Sequence, residues 1–185
     1  MKIIHLNPVA ADTENIRPYG TMIDEQIGPE RMPIPFYDHV DEGTNIPFEY
    51  TGKALLRTAR IHPSDNSIVW MERHVRMTQF FVGLGESPFG LVLATPSATS
   101  MTTIFDIESL RFFVFRPGTG VLLHKGTWHD FPLAIDRPVT CLTGNSDEVV
   151  RALVSVATPR EMNEGDVFKV HLPTRLNLTL VAQPA

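Results

Sequence analysis

Two short polar segments of the chain carry residue types that can bind a metal ion or move protons. The first is the run Glu72–His74, Glu-Arg-His, which Gln79 follows. The second contains His124 and His129, just beyond a Pro-Gly turn. Histidine changes its charge closest to neutral pH, so it suits both metal ligation and proton transfer. A fold that brings the two segments together would therefore hold one site with both abilities.

The spacing within each segment limits which side chains can share a cavity. Residues two apart on a strand share a face, so Glu72 and His74 are expected to point the same way. Gln79 joins them only if the chain turns or bulges before it. The two histidines of the second segment likewise need a turn, which Gly126 permits because glycine readily adopts left-handed backbone conformations.

Each of these residues also has an ordinary structural explanation. A Glu-Arg-His run fits the solvated face of a strand, and His129 fits a core histidine whose ring bonds a backbone carbonyl. Trp128 fits ordinary core packing, and Lys125 fits a solvated surface charge. The functional interpretation therefore depends on the two segments acting together.

The composition favours one soluble globular domain and argues against two classes of protein. Of the 185 residues, 43% are hydrophobic and 20% are charged, which is typical of a folded domain with a full core. A net charge of −5 and a pI near 5.8 argue against a nucleic-acid binder. No apolar stretch reaches the roughly 20 residues that a membrane span needs, so we expect no membrane partner. The single Cys141 lies in an apolar run, which predicts a buried thiol in a reducing compartment and a cytoplasmic protein.

Short apolar runs separated by fifteen prolines and twelve glycines predict an all-β sandwich or barrel. The predicted strands are Ala54–Ile61, Ser67–Met71, Thr78–Leu84, Phe89–Ala94, Phe112–Phe115, Gly120–His124, Asp130–Ile135, Val139–Thr143, Ala152–Ala157 and Leu176–Val181. The predicted helical turns are Thr13–Gly20, Asp106–Arg111 and Pro159–Met162.

We expect a single domain over residues 1–185. Its expected parts are an N-terminal segment and covering loop over 1–50, a barrel over 51–160 and a C-terminal extension over 161–185. The irregular stretch Glu25–Tyr50 is expected to cover one end of the barrel and is a candidate to line the site, because long loops in compact domains are usually functional.

The two polar segments resemble the two motifs of cupin barrels. The first cupin motif reads His-x-His, three or four residues, then Glu, and here it would be Glu72-x-His74, four residues, then Gln79. The second begins Pro-x-Gly, two residues, His, and here it would be stretched from Pro117–Gly118 to His124. The resemblance implies a double-stranded β-helix, or jelly-roll, barrel with one central site. Its N and O donors suit Ni, Mn, Fe or Zn without choosing among them. The sequence also leaves open that the enzyme uses no metal.

Longer stretches are similar to one cupin branch, the ureidoglycolate lyases. Met71–Phe80 resembles their Glu-Arg-His and Thr-Gln-x-Phe motif, and Asp106–Phe113 resembles their Asp-Leu-x-x-Leu-Arg-x-Phe segment. Gly120–Leu133 resembles their Gly-x-x-x-His-x-x-x-Trp-His-x-Pro-Leu block with one residue inserted, and Pro18–Ile23 resembles their Tyr-Gly-x-x-Ile stretch. Their Asn-x-Gly and Arg-Tyr stretch is not matched over Phe36–Tyr50, which leaves the identity of the substrate open.

The similarity implies a carbon–nitrogen lyase that cleaves ureidoglycolate to glyoxylate and urea by acid–base chemistry, with or without a divalent metal ion. The implied catalytic residues are His74, His124, His129 and Glu72. The implied substrate-binding residues are Arg73, Gln79, Lys125 and Trp128, and the implied metal ligands are Glu72, His74, Gln79 and His124. Within this set His124 is the better ligand candidate and His129 the better proton carrier.

Two other functions fit the same sequence. One is a cupin lyase, hydrolase or isomerase that acts on another small hydroxy or keto acid, and the other is a non-catalytic cupin that binds a small acid. A small carboxylate is the expected partner in each case. A homodimer is the expected assembly, because closed dimers are the commonest soluble oligomers.

Overall fold

The computed structural model describes residues 1–25, 31–36, 38–96 and 104–183, which form sixteen β-strands, three α-helices and one 3₁₀ turn. The strands are β1 (Lys2–Leu6), β2 (Pro8–Ala10), β3 (Gly20–Ile23), β4 (Ala54–Ile61), β5 (Ser67–Ile68), β6 (Trp70–Arg73), β7 (Phe80–Leu84), β8 (Phe89–Ala94), β9 (Arg111–Phe115), β10 (Gly120–Leu123), β11 (Trp128–His129), β12 (Leu133–Ala134), β13 (Val139–Ser146), β14 (Met162–Glu164), β15 (Val167–His171) and β16 (Leu178–Ala182). The helices are α1 (Thr13–Ile16), α2 (Asp147–Val154) and α3 (Leu172–Leu176), and the 3₁₀ turn is Ile107–Ser109.

Two sheets face each other and enclose the main core. The smaller sheet has five strands in the order β3-β10-β7-β13-β4, and the larger follows the path β14-β15-β6-β11-β8-β9-β2, with β12 paired to β8. Phe81 and Val121 project inward from the smaller sheet, Leu91 and Phe113 project inward from the larger, and all four are buried in one cluster. The all-β, cupin-type barrel predicted from the sequence is confirmed.

A third sheet covers the outer face of the larger sheet. Its strand order is β1-β16-β5, and β1 runs parallel to β16 with Lys2 opposite Leu178. Ile68 and Leu180 of this sheet are fully buried in a second core cluster with Phe112 of the larger sheet. The strand predicted near Leu176–Val181 is therefore present, and it covers the barrel of its own chain.

Both regions that flank the predicted barrel segment 51–160 contribute strands to the two barrel sheets. β2 and β3 come from the N-terminal segment, and β14 and β15 come from the predicted C-terminal extension. β15 pairs with β6, which places the extension directly beside the first polar segment.

Most predicted strands are present, and β4 and β8 have the predicted bounds. The clearest error is the strand predicted at Ala152–Ala157, because most of this stretch lies in or just after α2. Ser146 caps α2 by accepting a hydrogen bond from the backbone N–H of Val149 at 3.2 Å, and this is the usual role of serine at a helix start. Val149 and Leu153 lie four residues apart and pack on the same side of the helix. The prediction of a strand is therefore wrong here, because this short apolar run has helical spacing.

Two of the three predicted helical turns are confirmed. α1 lies within Thr13–Gly20 and is capped by Asp12, and Asp106 caps the 3₁₀ turn through the backbone N–H of Glu108 at 3.0 Å. The stretch Pro159–Met162 is not helical and leads into β14. None of the helices in the described ranges is long and apolar enough to cross a membrane.

The predicted covering loop Glu25–Tyr50 falls only partly within the described residues. In its described part, the Phe48 and Tyr50 rings contact each other at a tilted angle, and Phe48 also contacts Phe80. Phe80 alternates with the inward-facing Phe81, so this contact lies on the outer side of the smaller sheet. The described end of the loop therefore covers the barrel from outside and does not line its interior.

Candidate functional site

Glu72 and His129 lie side by side on neighbouring strands of the larger sheet. β6 and β11 pair antiparallel with His129 directly opposite Glu72, and residues directly opposite in such a pair project from the same face. Leu93, the partner of His129 on β8, is part of the barrel core. Both polar side chains therefore point into the barrel.

His74 completes the group from the turn that follows β6. The centroid of its ring lies 5.3 Å from that of His129. A carboxylate oxygen of Glu72, a ring nitrogen of His74 and a ring nitrogen of His129 all lie within 4.8 Å of one another, and all three residues are buried. Glu72 and His74 share an orientation, as their two-residue spacing predicts. These three residues are called the Glu-His-His cluster below.

Backbone carbonyls orient both imidazoles of the Glu-His-His cluster. His74 Nδ1 lies 2.6 Å from the carbonyl oxygen of Asp166, and His129 Nδ1 lies 3.0 Å from that of Thr127. A carbonyl oxygen only accepts, so each Nδ1 carries a hydrogen, and Nε2 is the nitrogen that remains to accept a hydrogen bond or to ligate a metal. Both Nε2 atoms are buried and lack a hydrogen-bond partner within the described part of the chain. Two imidazole nitrogens without partners are thus held beside Glu72.

Lys169 keeps Glu72 ionised. It lies opposite Glu72 on β15, and its Nζ donates a hydrogen bond to Glu72 Oε2 at 2.8 Å. Burial alone would raise the pKa of Glu72, but the Lys169 charge and hydrogen bond and the two histidines of the cluster outweigh it and lower the pKa to about 2. The other oxygen, Oε1, lies 3.8 Å from His129 Nε2, which is too far for a direct hydrogen bond. One carboxylate oxygen is therefore left to face the cluster.

His129 is neutral near physiological pH. Burial is the main cause, and it outweighs the opposing charge of Glu72 and lowers the pKa of His129 to about 4. A neutral imidazole is the form that ligates metals. Burial also raises the pKa of the neighbouring Asp130 to about 6. Asp130 alternates with His129 along the chain and is not one of the three residues whose ligand atoms lie together.

The Glu-His-His cluster fits a divalent metal ion. Two imidazole nitrogens without partners and one carboxylate oxygen form a mixed N and O ligand set, which suits several first-row ions. The other nitrogen of each imidazole bonds to a backbone carbonyl, the arrangement that commonly orients metal-binding histidines. The sequence predicts His124 as the histidine that faces Glu72 and His74, but in the structure His129 occupies that place.

His124 lies outside the Glu-His-His cluster, which corrects the expectation that it faces Glu72 across the barrel. It is exposed at the end of β10 in the smaller sheet, and its Nε2 lies 3.1 Å from the carbonyl oxygen of Arg17. Gly126 has a φ of +85°, and the turn around it carries the chain from the smaller sheet into β11 of the larger sheet. The turn therefore places His124 and His129 in different sheets and does not direct both into one cavity.

Three of the four side chains expected to bind substrate do not reach the Glu-His-His cluster. Lys125 is partly exposed and pairs with Glu49 beside a surface cavity of about 350 Å³. Arg73 and Trp128 each alternate with a cluster residue, so they face the other side of the larger sheet. The Arg73 guanidinium lies 4.9 Å from the centre of the Trp128 ring, and Trp128 is buried in the core beneath the third sheet.

Gln79, the fourth, does face the barrel interior. The backbone N–H of Leu123 donates to the Gln79 carbonyl oxygen at 2.7 Å, which extends the pairing of β10 with β7 by one residue. Leu123 is part of the barrel core, so Gln79 lies on the inner face of the smaller sheet. It is buried there on the sheet opposite the one that carries Glu72 and His129.

Lys169 and Asp166 support the cluster from the C-terminal part of the chain, and neither is predicted from the sequence. Lys169 lies 97 positions from Glu72, and Asp166 lies 92 positions from His74. No local spacing links residues so far apart. Only the pairing of β15 with β6 brings them together.

The facing sheets and the buried Glu-His-His cluster between them define a cupin-type barrel with a candidate metal centre. The family model described as Ureidoglycolate lyase matches residues 1–153. The chain therefore belongs to the ureidoglycolate lyase family, as its motifs predict, and the family implies an enzyme of the lyase type. The matched region includes the whole cluster but ends before Lys169.

Two solved structures show more distant similarity. A dTDP sugar isomerase from Desulfovibrio desulfuricans G20 aligns with a TM-score of 0.46 and 14% sequence identity, over 86% of this chain and 88% of that chain. A Bacillus subtilis oxalate decarboxylase with Mn(II) centres aligns with a TM-score of 0.37 and 10% identity, over 65% of this chain and 33% of that chain. No curated protein matches the sequence.

Proposed function

We propose that this protein cleaves ureidoglycolate to glyoxylate and urea. The observation that carries the proposal is that the region matched to the ureidoglycolate lyase family contains all three residues of the Glu-His-His cluster. Membership in a lyase family supports the type of reaction, and the buried cluster offers groups that can accept a proton inside the barrel.

Ureidoglycolate is a carbinolamide, so its cleavage couples one proton transfer to the breaking of one bond. The C2 hydroxyl loses its proton, its oxygen forms the aldehyde of glyoxylate, and the C–N electron pair leaves with the nitrogen. The nitrogen then gains a proton to give neutral urea. One proton is removed and one is added, so a single imidazole can serve both steps, and such acid–base help is typically worth about 10²–10⁴-fold in rate.

The electrostatics of the cluster suggest how the roles divide. Glu72 is held ionised by Lys169 and is a poor proton carrier because its pKa is lowered to about 2. His129 is held neutral, and a pKa lowered to about 4 makes it a weaker base than an ordinary histidine. His74, oriented by the carbonyl of Asp166, is the proposed proton carrier: its Nε2 takes the hydroxyl proton and delivers it to the urea nitrogen.

Glu72, His74 and His129 are also the proposed ligands of a divalent metal ion. When bound, such an ion would supply Lewis-acid polarisation of the substrate's hydroxyl and carboxylate oxygens. A metal ion held by His74 would occupy the Nε2 atom that carries the proton, so the proton-carrier role of His74 belongs to the metal-free form. The response to a chelator tells the two forms apart.

The purified protein should release glyoxylate and urea in equal amounts from racemic ureidoglycolate, faster than the substrate breaks down in buffer. Glyoxylate can be followed by its reduction with lactate dehydrogenase and NADH, and urea by urease. An absence of turnover, with and without added Ni, Mn, Fe or Zn, would contradict the proposal. If the same preparation is thermally stabilised by small hydroxy acids, a non-catalytic acid-binding cupin would be supported instead.

Metal content should depend on Glu72 and not on an exposed carboxylate. We expect Glu72→Gln to lose the divalent ion that the wild-type protein carries, because it removes the negative charge of the ligand set. Glu49→Gln is the matched control, since Glu49 is exposed and pairs with Lys125 outside the barrel. Elemental analysis of both variants measures the effect. A wild-type protein that holds no metal and is unaffected by EDTA would favour the metal-free form.

A further inference from the structure

Three buried polar side chains on the smaller sheet form a wall inside the barrel. They are Gln79, Thr143 and Asn145, and each is at most 4% exposed. β13 pairs with β7 so that Thr143 lies opposite the inward-facing Phe81, and continuing that register places Asn145 opposite Gln79. Residues two apart on a strand share a face, so all three project into the barrel. They are called the acceptor wall below.

The acceptor wall lies on the sheet opposite the one that carries Glu72 and His129. The Phe81 ring, which belongs to the same face as the wall, approaches the His129 ring with a centroid distance of 5.9 Å. The Phe81 ring therefore reaches the cluster from the same sheet face that carries the wall. A small molecule bound at the cluster would have the acceptor wall on its other side.

Each side chain of the acceptor wall has an oxygen that lacks a hydrogen-bond partner among the described residues. These atoms are Gln79 Oε1, Thr143 Oγ1 and Asn145 Oδ1. Leaving a buried polar atom unpaired is costly, and the great majority of such atoms in native proteins have a partner. Thr140, on the outward face of the same strand, has one, because Arg60 Nη1 donates to its hydroxyl at 2.9 Å. Three unpaired oxygens on one inner face therefore indicate a ligand that supplies hydrogen-bond donors.

We propose that the acceptor wall binds the ureido group of the substrate. A ureido group has one N–H on the nitrogen attached to C2 and two on the terminal nitrogen, so its three donors match the three oxygens of the wall. The Glu-His-His cluster then meets the other end of the molecule, which carries the hydroxyl and the carboxylate. This inference rests on the proposed function and deepens it by assigning Thr143 and Asn145 to substrate recognition.

The acceptor wall also gives a physical basis for specificity. A molecule with a methyl group in place of the terminal amide nitrogen leaves buried oxygens unpaired. Sites built to hydrogen-bond a substrate group reject analogues that lack it far more strongly than apolar pockets reject a change in size. We therefore expect the barrel to discriminate against small hydroxy acids without a ureido group.

Ureidoacetate and N-acetylglycine test the proposal by equilibrium binding. Ureidoacetate is ureidoglycolate without the C2 hydroxyl, so it cannot be cleaved, and N-acetylglycine replaces its terminal amide nitrogen with a methyl group. Titration calorimetry should show that the wild-type protein prefers ureidoacetate by about tenfold or more, as expected for a buried hydrogen bond. Thr143→Val and Asn145→Leu should each reduce that preference, whereas the matched control Thr140→Val should keep it.

Stability without ligand separates a recognition role from a structural one. Replacing an unpaired buried polar group with an apolar group of similar shape is nearly neutral or stabilising. The melting temperature of Thr143→Val should therefore equal or exceed that of the wild-type protein, even though its affinity for ureidoacetate falls. A variant with a lower melting temperature and an equal loss of affinity for ureidoacetate and N-acetylglycine would show a structural role and would overturn the inference.

The outcomes also distinguish this inference from the proposed function. If the wild-type protein cleaves ureidoglycolate but both wall variants bind ureidoacetate as it does, only the inference fails. If the wild-type protein neither cleaves ureidoglycolate nor binds ureidoacetate, both fail. A loss of preference confined to Thr143→Val and Asn145→Leu, with Thr140→Val unchanged, supports the inference.

Discussion

Replacing His74 with alanine should lower kcat/KM for ureidoglycolate cleavage by about 10²–10⁴-fold, the usual contribution of a positioned proton carrier. Replacing His124 with alanine should leave it nearly unchanged, because His124 is exposed and lies outside the Glu-His-His cluster. Steady-state kinetics with the glyoxylate assay measures both variants. The pair is informative because both histidines lie in the family motifs and only one lies inside the barrel.

Circular dichroism and thermal melting control for misfolding in both histidine variants. His74→Gln adds a second check, since it keeps a polar side chain at this position but cannot carry a proton through an imidazole. It should remain folded and be nearly as inactive as the alanine variant. An equal loss of activity in His124→Ala would show that the assignment of the site is wrong.

Replacing Lys169 with methionine should destabilise the fold by about 3 kcal/mol at neutral pH, because removing one partner of a buried ion pair leaves the other charge unpaired. Glu72 is only 8% exposed in its side chain and Lys169 only 23%. Urea denaturation measures the free energy of unfolding. Lys125→Met is the matched control, since Lys125 and Glu49 form an exposed pair, and such pairs are worth roughly 1 kcal/mol or less.

The effect of Lys169→Met should also depend on pH. In the folded protein the pKa of Glu72 is lowered from 4.5 to about 2, against the opposing effect of burial. Its ionisation therefore stabilises the fold fully above pH 4.5, and this contribution is lost as the pH falls through about 2. The difference between the wild-type protein and Lys169→Met should accordingly be largest near neutral pH and should shrink across that acidic range. A difference that does not change with pH would contradict the pairing.

The fold could be predicted from the sequence where local pattern decides the structure. β4 and β8 keep their predicted bounds because each lies between turn-forming residues, Gly52 and Pro63 for β4 and Pro88 and Pro96 for β8. The prediction of a strand at Ala152–Ala157 is wrong, because a short run with Ala, Leu and Val fits both the strand pattern and the helix pattern. Its assignment depends on the cap at Ser146 and on the packing of Val149.

The candidate site could be predicted only in part, for a related reason. The shared orientation of Glu72 and His74 follows from a spacing of two on one strand, so it is a local property. Which of His124 and His129 faces Glu72 depends on which sheet the chain enters after Gly126, and the spacing of residues does not predict that. Lys169 reaches Glu72 through the pairing of β15 with β6, which lie far apart in the sequence. The acceptor wall cannot be predicted from the sequence either, because only the structure shows which buried oxygens lack a hydrogen-bond partner.

The parallel pairing of β1 with β16 has a consequence for how this protein is made. Lys2 pairs with Leu178, so β1 leaves the ribosome long before its partner has been synthesised and stays an unpaired edge in the meantime. The apolar face beneath the third sheet is open over the same interval, and transiently exposed apolar surface and strand edges favour aggregation. The Glu-His-His cluster must also wait for β15, which brings Lys169 to Glu72. We therefore expect stalled or prematurely terminated chains to be aggregation-prone and to lack a finished site.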